Sequence, residues 1–248
     1  MANRTKLVAG NWKMNGLRAD GLALASELAE RARAARGAAA LSCELLICPP
    51  ATLLSAVGGA IAGSGIALGG QDCHAAAKGA FTGDISAEML ADCGCTHVIL
   101  GHSERRRYHG ETDADISAKA AAAQRAGLDL IVCVGETEEQ RQAGEAVAVV
   151  TGQLAGSIPD DAPSGGLIVA YEPLWAIGSG RSATLDDIEQ MHAAIRARLA
   201  PDGRILYGGS VNPANAAAIL ALADVDGALI GGASLDSGSF WAIARCCG

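Results

Sequence analysis

The sequence predicts a (β/α)8 barrel, in which eight parallel strands are each followed by a helix, as a single domain over residues 1–248. Three observations support this fold class. Short apolar runs recur eight times, segments with one apolar stripe at helical spacing lie between them, and a length of 248 residues suits such a barrel. Two smaller domains would also fit this length, but no composition shift, charge block or long linker divides the chain.

Each predicted strand is a short apolar run without the alternation that is typical of a sheet facing water. Parallel strands that are buried on both faces have such near-continuous apolar sequences, and a helical segment follows each run. The runs are residues 6–9, 45–48, 66–68, 97–100, 130–134, 167–170, 204–207 and 228–230.

Two helix starts can be located from their capping residues. Thr112 is followed three positions later by Asp115, and Thr184 by Asp187. A threonine N-cap with an acidic residue in the first turn satisfies the free N–H groups at the start of a helix. The stripe that follows the second start fits one helix face and consists of Leu185, Ile188, Met191, Ile195 and Leu199.

Charge and cysteine content argue against several classes of function. A net charge of −8 disfavours general binding to nucleic acid or to an anionic membrane. The eight cysteines form no CxxC motif and no HExxH motif is present, so we expect neither a metal site nor a dithiol redox centre. No segment resembles a signal peptide or a membrane span, so we expect a cytoplasmic protein.

Polar residues directly after the apolar runs are the first candidates for function, because barrel enzymes carry their chemistry at the C-terminal ends of the strands. Asn11 and Lys13 follow the first run. If the strand pleat continues, both side chains project to the same side, where they suit an anionic ligand rich in oxygen. A plain surface lysine is the alternative.

Two titratable residues follow the fourth and sixth runs. His102 stands at the start of a predicted helical turn, where the helix dipole disfavours the protonated imidazole. Glu172 emerges where the barrel interior meets its mouth, and desolvation there would raise its proton affinity, as suits a general base. A solvated histidine and a salt-bridged glutamate are the alternatives.

Glycine-rich segments follow the last two runs. Ser210 lies after the seventh run, and Gly231 and Gly232 after the eighth. In barrel enzymes these two loops often bind phosphate, and backbone N–H groups here could hold three anionic oxygens. Tight turns alone would explain both the pair Gly208 and Gly209 and the pair Gly231 and Gly232.

Five motifs together resemble the triosephosphate isomerase family along the entire chain. They are NxK at 11–13, GHSERR at 101–106, YEPLWAIGSG at 171–180, YGGSV at 207–211 and GGASL at 231–235. The resemblance implies a TIM barrel that interconverts dihydroxyacetone phosphate and D-glyceraldehyde 3-phosphate through an enediol(ate), in glycolysis and gluconeogenesis. It also implies that no metal or cofactor is needed.

The resemblance assigns a role to four of these residues. Glu172 is implied as the base that moves a proton between two substrate carbons, and His102 as the neutral electrophile that polarises the carbonyl. Lys13 would supply positive charge as the enediolate develops, and Asn11 would bind a substrate oxygen.

Residues 173–180 resemble the family's mobile lid. Gly178 would offer an N–H group to the phosphate, and closure would shield the intermediate from water. The family usually has threonine and lysine at the positions of Ser179 and Arg181, which leaves the hinge kinetics open.

Three further residues have supporting roles by resemblance. Glu104 matches a position beside the catalytic lysine, where a plain salt bridge would look the same. Cys133 matches a buried cysteine near the base, with packing as its expected role. Thr82 lies in a loop that would reach Asn11 of the partner subunit, which implies a homodimer.

Two other functions are alternatives to this one. A different barrel enzyme acting on a phosphorylated sugar would share the glycine loops but lack the combination of motifs. A non-catalytic phosphate-binding scaffold would be expected to have lost at least one of Lys13, His102 and Glu172, and all three are present.

Overall fold

The computed structural model describes residues 4–38, 41–159, 166–177 and 182–247. Its eight parallel strands close into a barrel in chain order, with β1 paired to β2 on one side and to β8 on the other. The predicted fold class is therefore confirmed. The strands are β1 (Lys6–Asn11), β2 (Cys43–Cys48), β3 (Ile66–Gly70), β4 (His97–Leu100), β5 (Asp129–Val134), β6 (Leu167–Tyr171), β7 (Arg204–Tyr207) and β8 (Gly227–Ile230).

Helices follow each strand and surround the barrel. Both predicted helix starts are confirmed, because Thr112 and Thr184 each form a capping box with the aspartate three residues later. The helices are α1 (Arg18–Ala38), α2 (Leu54–Ile61), α3 (Ala87–Asp92), α4 (Ser103–His109), α5 (Asp113–Arg125), α6 (Glu138–Gln142), α7 (Ala146–Ser157), α8 (Leu185–Arg196), α9 (Ala216–Leu220) and α10 (Ser237–Ala244).

The apolar core has two layers that share the strands. Alternate strand residues such as Leu7 and Ala9 fill the barrel interior, while Val8 between them packs in the layer that includes the helices. Both faces of the strands are thus buried, which explains why their sequences are almost continuously apolar. Burial of apolar surface on both faces, at about 25 cal/mol per Å², is the main stabilising term of such a barrel.

The C-terminal ends of all eight strands lie at one end of the barrel, because the strands are parallel and neighbours in sequence. Several strands extend past the predicted runs. β1 continues to Asn11 and β6 to Tyr171, so Glu172 follows its strand directly. None of the described helices is both long and apolar enough to cross a membrane.

Candidate active site

A cavity of about 370 Å³ opens at the C-terminal end of the barrel. Its wall is formed by residues at the C-terminal ends of β1, β4, β6, β7 and β8. Active sites of (β/α)8 barrels lie at this end. Most residues that the sequence singled out line it: Asn11, Lys13, His102, Glu172, Ser210, Gly231 and Gly232. The fold therefore brings these distant positions into one site.

Lys13 reaches the cavity through a turn that begins where β1 ends. Its backbone is left-handed, with φ of 52°, a conformation that costs a residue other than glycine roughly 1–3 kcal/mol. Its N–H donates to Asn11 Oδ1 at 3.0 Å, and Gln71 Nε2 donates to its carbonyl oxygen at 2.8 Å. The strand pleat, on which the sequence-based expectation depended, does not continue to Lys13, yet both side chains line the cavity.

The Lys13 ammonium group is held against Glu104. The distance from Lys13 Nζ to Glu104 Oε1 is 2.6 Å, and the glutamate side chain is 44% exposed. A side chain at Gly231 would meet Lys13 Cε at 3.3 Å, so glycine at that position leaves room for the lysine. Glu104 thus lies beside Lys13 in the structure, and its role stays a prediction.

His102 is the N-cap residue of α4. Its Nδ1 accepts a hydrogen bond from the Glu104 N–H at 3.2 Å. Because Nδ1 uses its lone pair in this bond, a neutral ring carries its proton on Nε2. Nε2 lies 3.0 Å from Glu172 Oε1, so the ring presents an N–H group to the carboxylate.

Glu172 is almost completely buried, at 2% exposure. Its Oε2 accepts a hydrogen bond from the Ser103 N–H at 2.9 Å. Two glycines leave space for Glu172. A Cβ added at Gly208 would lie 2.9 Å from Glu172 Cγ, and one added at Gly135 would lie 1.8 Å from the Glu172 carbonyl oxygen. The carboxylate is therefore fixed on two sides and faces the cavity on a third.

The contact between Glu172 and His102 reverses the pKa directions that the sequence predicted. Burial raises the pKa of Glu172, but His102, the Ser103 N–H and Lys13 lower it, and the result lies below the ordinary value. Burial lowers the pKa of His102, but the Glu172 carboxylate raises it, and the result lies above the ordinary value. Desolvation is the largest single influence on the pKa of either group, but the charges and hydrogen bonds around each group together outweigh it.

Cys133 lies at the end of β5 beneath the base and is fully buried in the barrel interior. Burial and the neighbouring Glu172 raise the pKa of its thiol far above the ordinary value. The thiol is therefore neutral at neutral pH and packs in the barrel interior.

Thr82 is exposed in the turn between β3 and α3 and is absent from the residues that line the site. Gly178 lies outside the described residues, as do Ser179 and Arg181 of the predicted lid hinge. Their roles stay predictions.

Glu136 is a buried carboxylate that the sequence reasoning missed. It accepts hydrogen bonds from Tyr171 Oη at 3.1 Å and Trp175 Nε1 at 2.9 Å, and Arg141 lies 3.4 Å away. Its carbonyl oxygen accepts the Leu174 N–H at 3.1 Å. Glu136 thus holds the segment that directly follows the base, and the rule that pointed to Glu172 would have found it, because it too follows a strand.

Within the described part of the chain, no group of three or more His, Cys, Asp or Glu side chains is arranged to hold a metal ion. In the cavity wall His102 pairs with Glu172, and Lys13 pairs with Glu104, which lies outside the residues that line the cavity. The chemistry that this arrangement supports is proton transfer beside a localised positive charge.

Comparison with known proteins agrees with this geometry. A family model described as triosephosphate isomerase matches residues 6–247. The chain is 58% identical to the triosephosphate isomerase of Afipia carboxidovorans, covering 97% of each chain, and 56% identical to that of Xanthobacter flavus, covering 100% and 99%. The crystal structure of triosephosphate isomerase from Bartonella henselae superposes with a TM-score of 0.87 at 44% identity, covering 98% of both chains. The chain belongs to the triosephosphate isomerase family.

Proposed function

We propose that Glu172, His102, Lys13 and Asn11 carry out the family's reaction in this chain. The chain interconverts dihydroxyacetone phosphate and D-glyceraldehyde 3-phosphate, a reaction that moves a proton between two adjacent carbons. The observation that carries the proposal is the contact of 3.0 Å between the Glu172 carboxylate and the His102 Nε2 in the wall of the cavity. This contact supports the proposal because a carboxylate that can accept a proton lies beside an imidazole N–H group that can donate one.

Glu172 acts as the base. Its lowered pKa keeps it ionised at neutral pH, so it can remove the proton from the carbon next to the carbonyl and return it to the neighbouring carbon. The substrate carbon takes the place that the imidazole N–H occupies beside the carboxylate. His102 then donates from Nε2 to the substrate oxygens rather than to Glu172.

The intermediate carries negative charge on oxygen, and two groups in the cavity oppose that charge. Lys13 places its ammonium group there, held by Glu104 at 2.6 Å. The Nε2–H of His102 supplies a hydrogen bond to the same oxygens. Such donors are already oriented before the reaction and need no rearrangement as the charge develops.

The phosphate is bound by the loops after β7 and β8. Ser210, Gly231 and Gly232 of these loops line the cavity, and backbone N–H groups in these two loops often bind phosphate in such barrels. Because the chain carries a net charge of −8, affinity for an anion has to come from this local site. Gly178 would add a further N–H group when the lid closes.

The chain works as a homodimer in this proposal. Large apolar side chains are exposed in two loops, with Met14 at 96% and Leu17 at 78% in the turn after β1, and Phe81 at 45% beside Thr82. Exposed apolar surface of this kind marks an interface between proteins. Burial of the turn after β1 would hold Lys13 in its strained conformation.

The enzyme acts in the cytoplasm. The eight cysteines, all within the described residues, are free thiols. Proteins that are kept in a reducing compartment typically have unpaired cysteines.

The experiment that tests the function is a coupled assay of the purified protein with D-glyceraldehyde 3-phosphate, with a chelator added. We expect fast formation of dihydroxyacetone phosphate, and we expect it to be unaffected by the chelator. A folded protein without turnover would contradict the proposal and favour a phosphate-binding scaffold.

A further inference from the structure

We propose that Gln153, which lies on α7 outside the cavity, is a positioning residue for Glu172. The inference rests on the proposed role of Glu172 as the base. Gln153 does not contact the cavity, and it acts through the loop that follows β5.

Gln153 binds both polar groups of one backbone residue. The Gly135 N–H donates to Gln153 Oε1 at 2.8 Å, and Gln153 Nε2 donates to the Gly135 carbonyl oxygen at 3.0 Å. The ladder between β4 and β5 ends with the pair Leu100 and Val132, and on the β6 side the Val134 carbonyl oxygen accepts the Glu172 N–H. Beyond these strand pairs, the side-chain amide supplies two hydrogen bonds of the kind that a neighbouring strand makes.

The backbone of Gly135 is in direct contact with the backbone of Glu172. A Cβ at Gly135 would lie 1.8 Å from the Glu172 carbonyl oxygen, so the two backbones are in contact with no side chain between them. The Glu172 N–H donates to the Val134 carbonyl oxygen at 2.8 Å. Any displacement of Gly135 has to move the Glu172 backbone, or else lose this packing.

Glu136, the residue after Gly135, binds the segment that follows Glu172 in the chain. Glu136 accepts hydrogen bonds from the Leu174 N–H and from Trp175 Nε1, at 3.1 Å and 2.9 Å. Gln153 thus fixes a short loop that contacts the chain before and after Glu172. A second cavity of about 580 Å³, lined by Gly135, Gln153, Glu172 and Trp175 among others, adjoins this loop. It is space into which the loop would shift without the two hydrogen bonds.

Docking of α7 does not depend on Gln153. Val150 and Leu154 on the same helix are buried, at 0% and 4% exposure, and pack in the apolar core. They hold the helix by apolar contacts, which leaves the amide of Gln153 with the specific task of fixing Gly135.

The first test replaces Gln153 by methionine, which is similar in size but makes neither hydrogen bond. We expect Gln153→Met to lower kcat by about 10-fold with less than about a twofold change in KM, because a misplaced base affects the chemical step. Gln153→Glu keeps an acceptor for the Gly135 N–H and loses the donor, so its kcat should be intermediate. Gln190→Met, on an exposed position of α8, is the matched control and should leave kcat unchanged.

The second test asks whether the effect passes through the base. In a Glu172→Asp background, Gln153→Met should lower kcat by less than about a further twofold, because residues that act as a unit are not additive. In the Gln153→Met enzyme, the acid limb of the kcat/KM profile should move to higher pH, since the base leaves the donors that lower its pKa. Loss of stability alone would change neither readout.

Three results would overturn the inference: kcat within about twofold of the parent in both Gln153 variants, an unmoved acid limb, or full additivity with Glu172→Asp. If the methionine variant does not fold, the glutamate variant is measured in the same way and decides. Unchanged kcat in Glu172→Asp alone would instead refute the role of Glu172, so the two failures are distinguishable.

Discussion

At the scale of single residues, the site depends on a few polar contacts that fix side chains before any ligand binds. Glu172 accepts from Ser103 and faces His102, while Lys13 is held by Glu104 and by its own backbone turn. Each group has little freedom left to lose. Such preorganisation lets the charges act on the reaction without first being rearranged.

The first residue-level prediction concerns the length of the base. Glu172→Asp withdraws the carboxylate by one methylene from the position that Ser103 and His102 define. We expect kcat to fall by on the order of 100-fold or more with a smaller change in KM, because proton transfer requires close approach. Steady-state kinetics in both directions measure this, and an unchanged kcat would refute the assignment of Glu172.

The second residue-level prediction concerns pH and stability. The pKa of Glu172 in the folded protein lies below its ordinary value of 4.5, so the folded state binds fewer protons than the unfolded state near that pH. The carboxylate therefore stabilises the fold above that value, and the contribution is lost as the pH falls through the lowered pKa.

Urea unfolding of the parent and of Glu172→Gln, compared from about pH 7 downward, checks this sign. The stability of the parent relative to the variant should decrease with falling pH below 4.5. A difference that grows in acid would mean that the folded-state pKa is raised.

At the scale of elements, strand ends and helix starts are set by local chemistry. The two threonine capping boxes begin α5 and α8 at the residues that their spacing predicts. β6 ends at Tyr171, where Pro173 lacks the N–H group that a longer strand would need. The base therefore stands at the junction between a rigid strand and the segment that Glu136 holds.

The element-level prediction concerns the cap of α8. Thr184→Ala removes the oxygen that accepts the Asp187 N–H at 3.2 Å, and we expect a loss of about 1 kcal/mol in the free energy of unfolding. Thr151→Ala is the control, because Thr151 lies within α7 and bonds only to carbonyl oxygens one turn earlier. Urea unfolding at one protein concentration compares the free energies of unfolding of the two variants. Equal losses in both would show that the cap contributes no more to stability than Thr151 does.

At the scale of the whole molecule, the closed barrel brings five strand ends around one cavity, and the exposed side chains beside that cavity suggest a second copy of the chain. Met14 and Leu17 flank the turn that carries Lys13. A partner that covers this turn would link assembly to the position of a catalytic group.

The whole-molecule prediction follows from that surface. We expect the protein to sediment with twice the mass of one chain at micromolar concentration, and Leu17→Asp to shift it towards a single chain with reduced kcat. A charge at the centre of an apolar interface is costly unless it is paired. Val147→Asp, at an exposed position of α7 with 41% exposure, is the control that should stay dimeric. A parent protein with the mass of one chain would contradict the proposal.

Much of the fold could be predicted because its helices and strands depend on residues that are close together in the sequence. Apolar runs, helical stripes and capping threonines each depend on residues within one or two turns of each other, so the order of elements and the identity of the polar residues after the strands follow from spacing. Spacing alone points to Asn11, His102 and Glu172 as polar residues at or just after the ends of strands. Single-domain organisation stays a prediction.

The geometry inside the site could not be predicted, because it depends on contacts between residues that are far apart in the chain. The left-handed turn at Lys13 is held by Gln71, the pKa directions of Glu172 and His102 follow from their contact, and Gly135 is fixed by Gln153. The sequence by itself determined which elements form and which chemical groups stand at their ends. Only the tertiary structure decided which of those groups touch, because electrostatic and hydrogen-bond energies depend on distances that closure of the barrel sets.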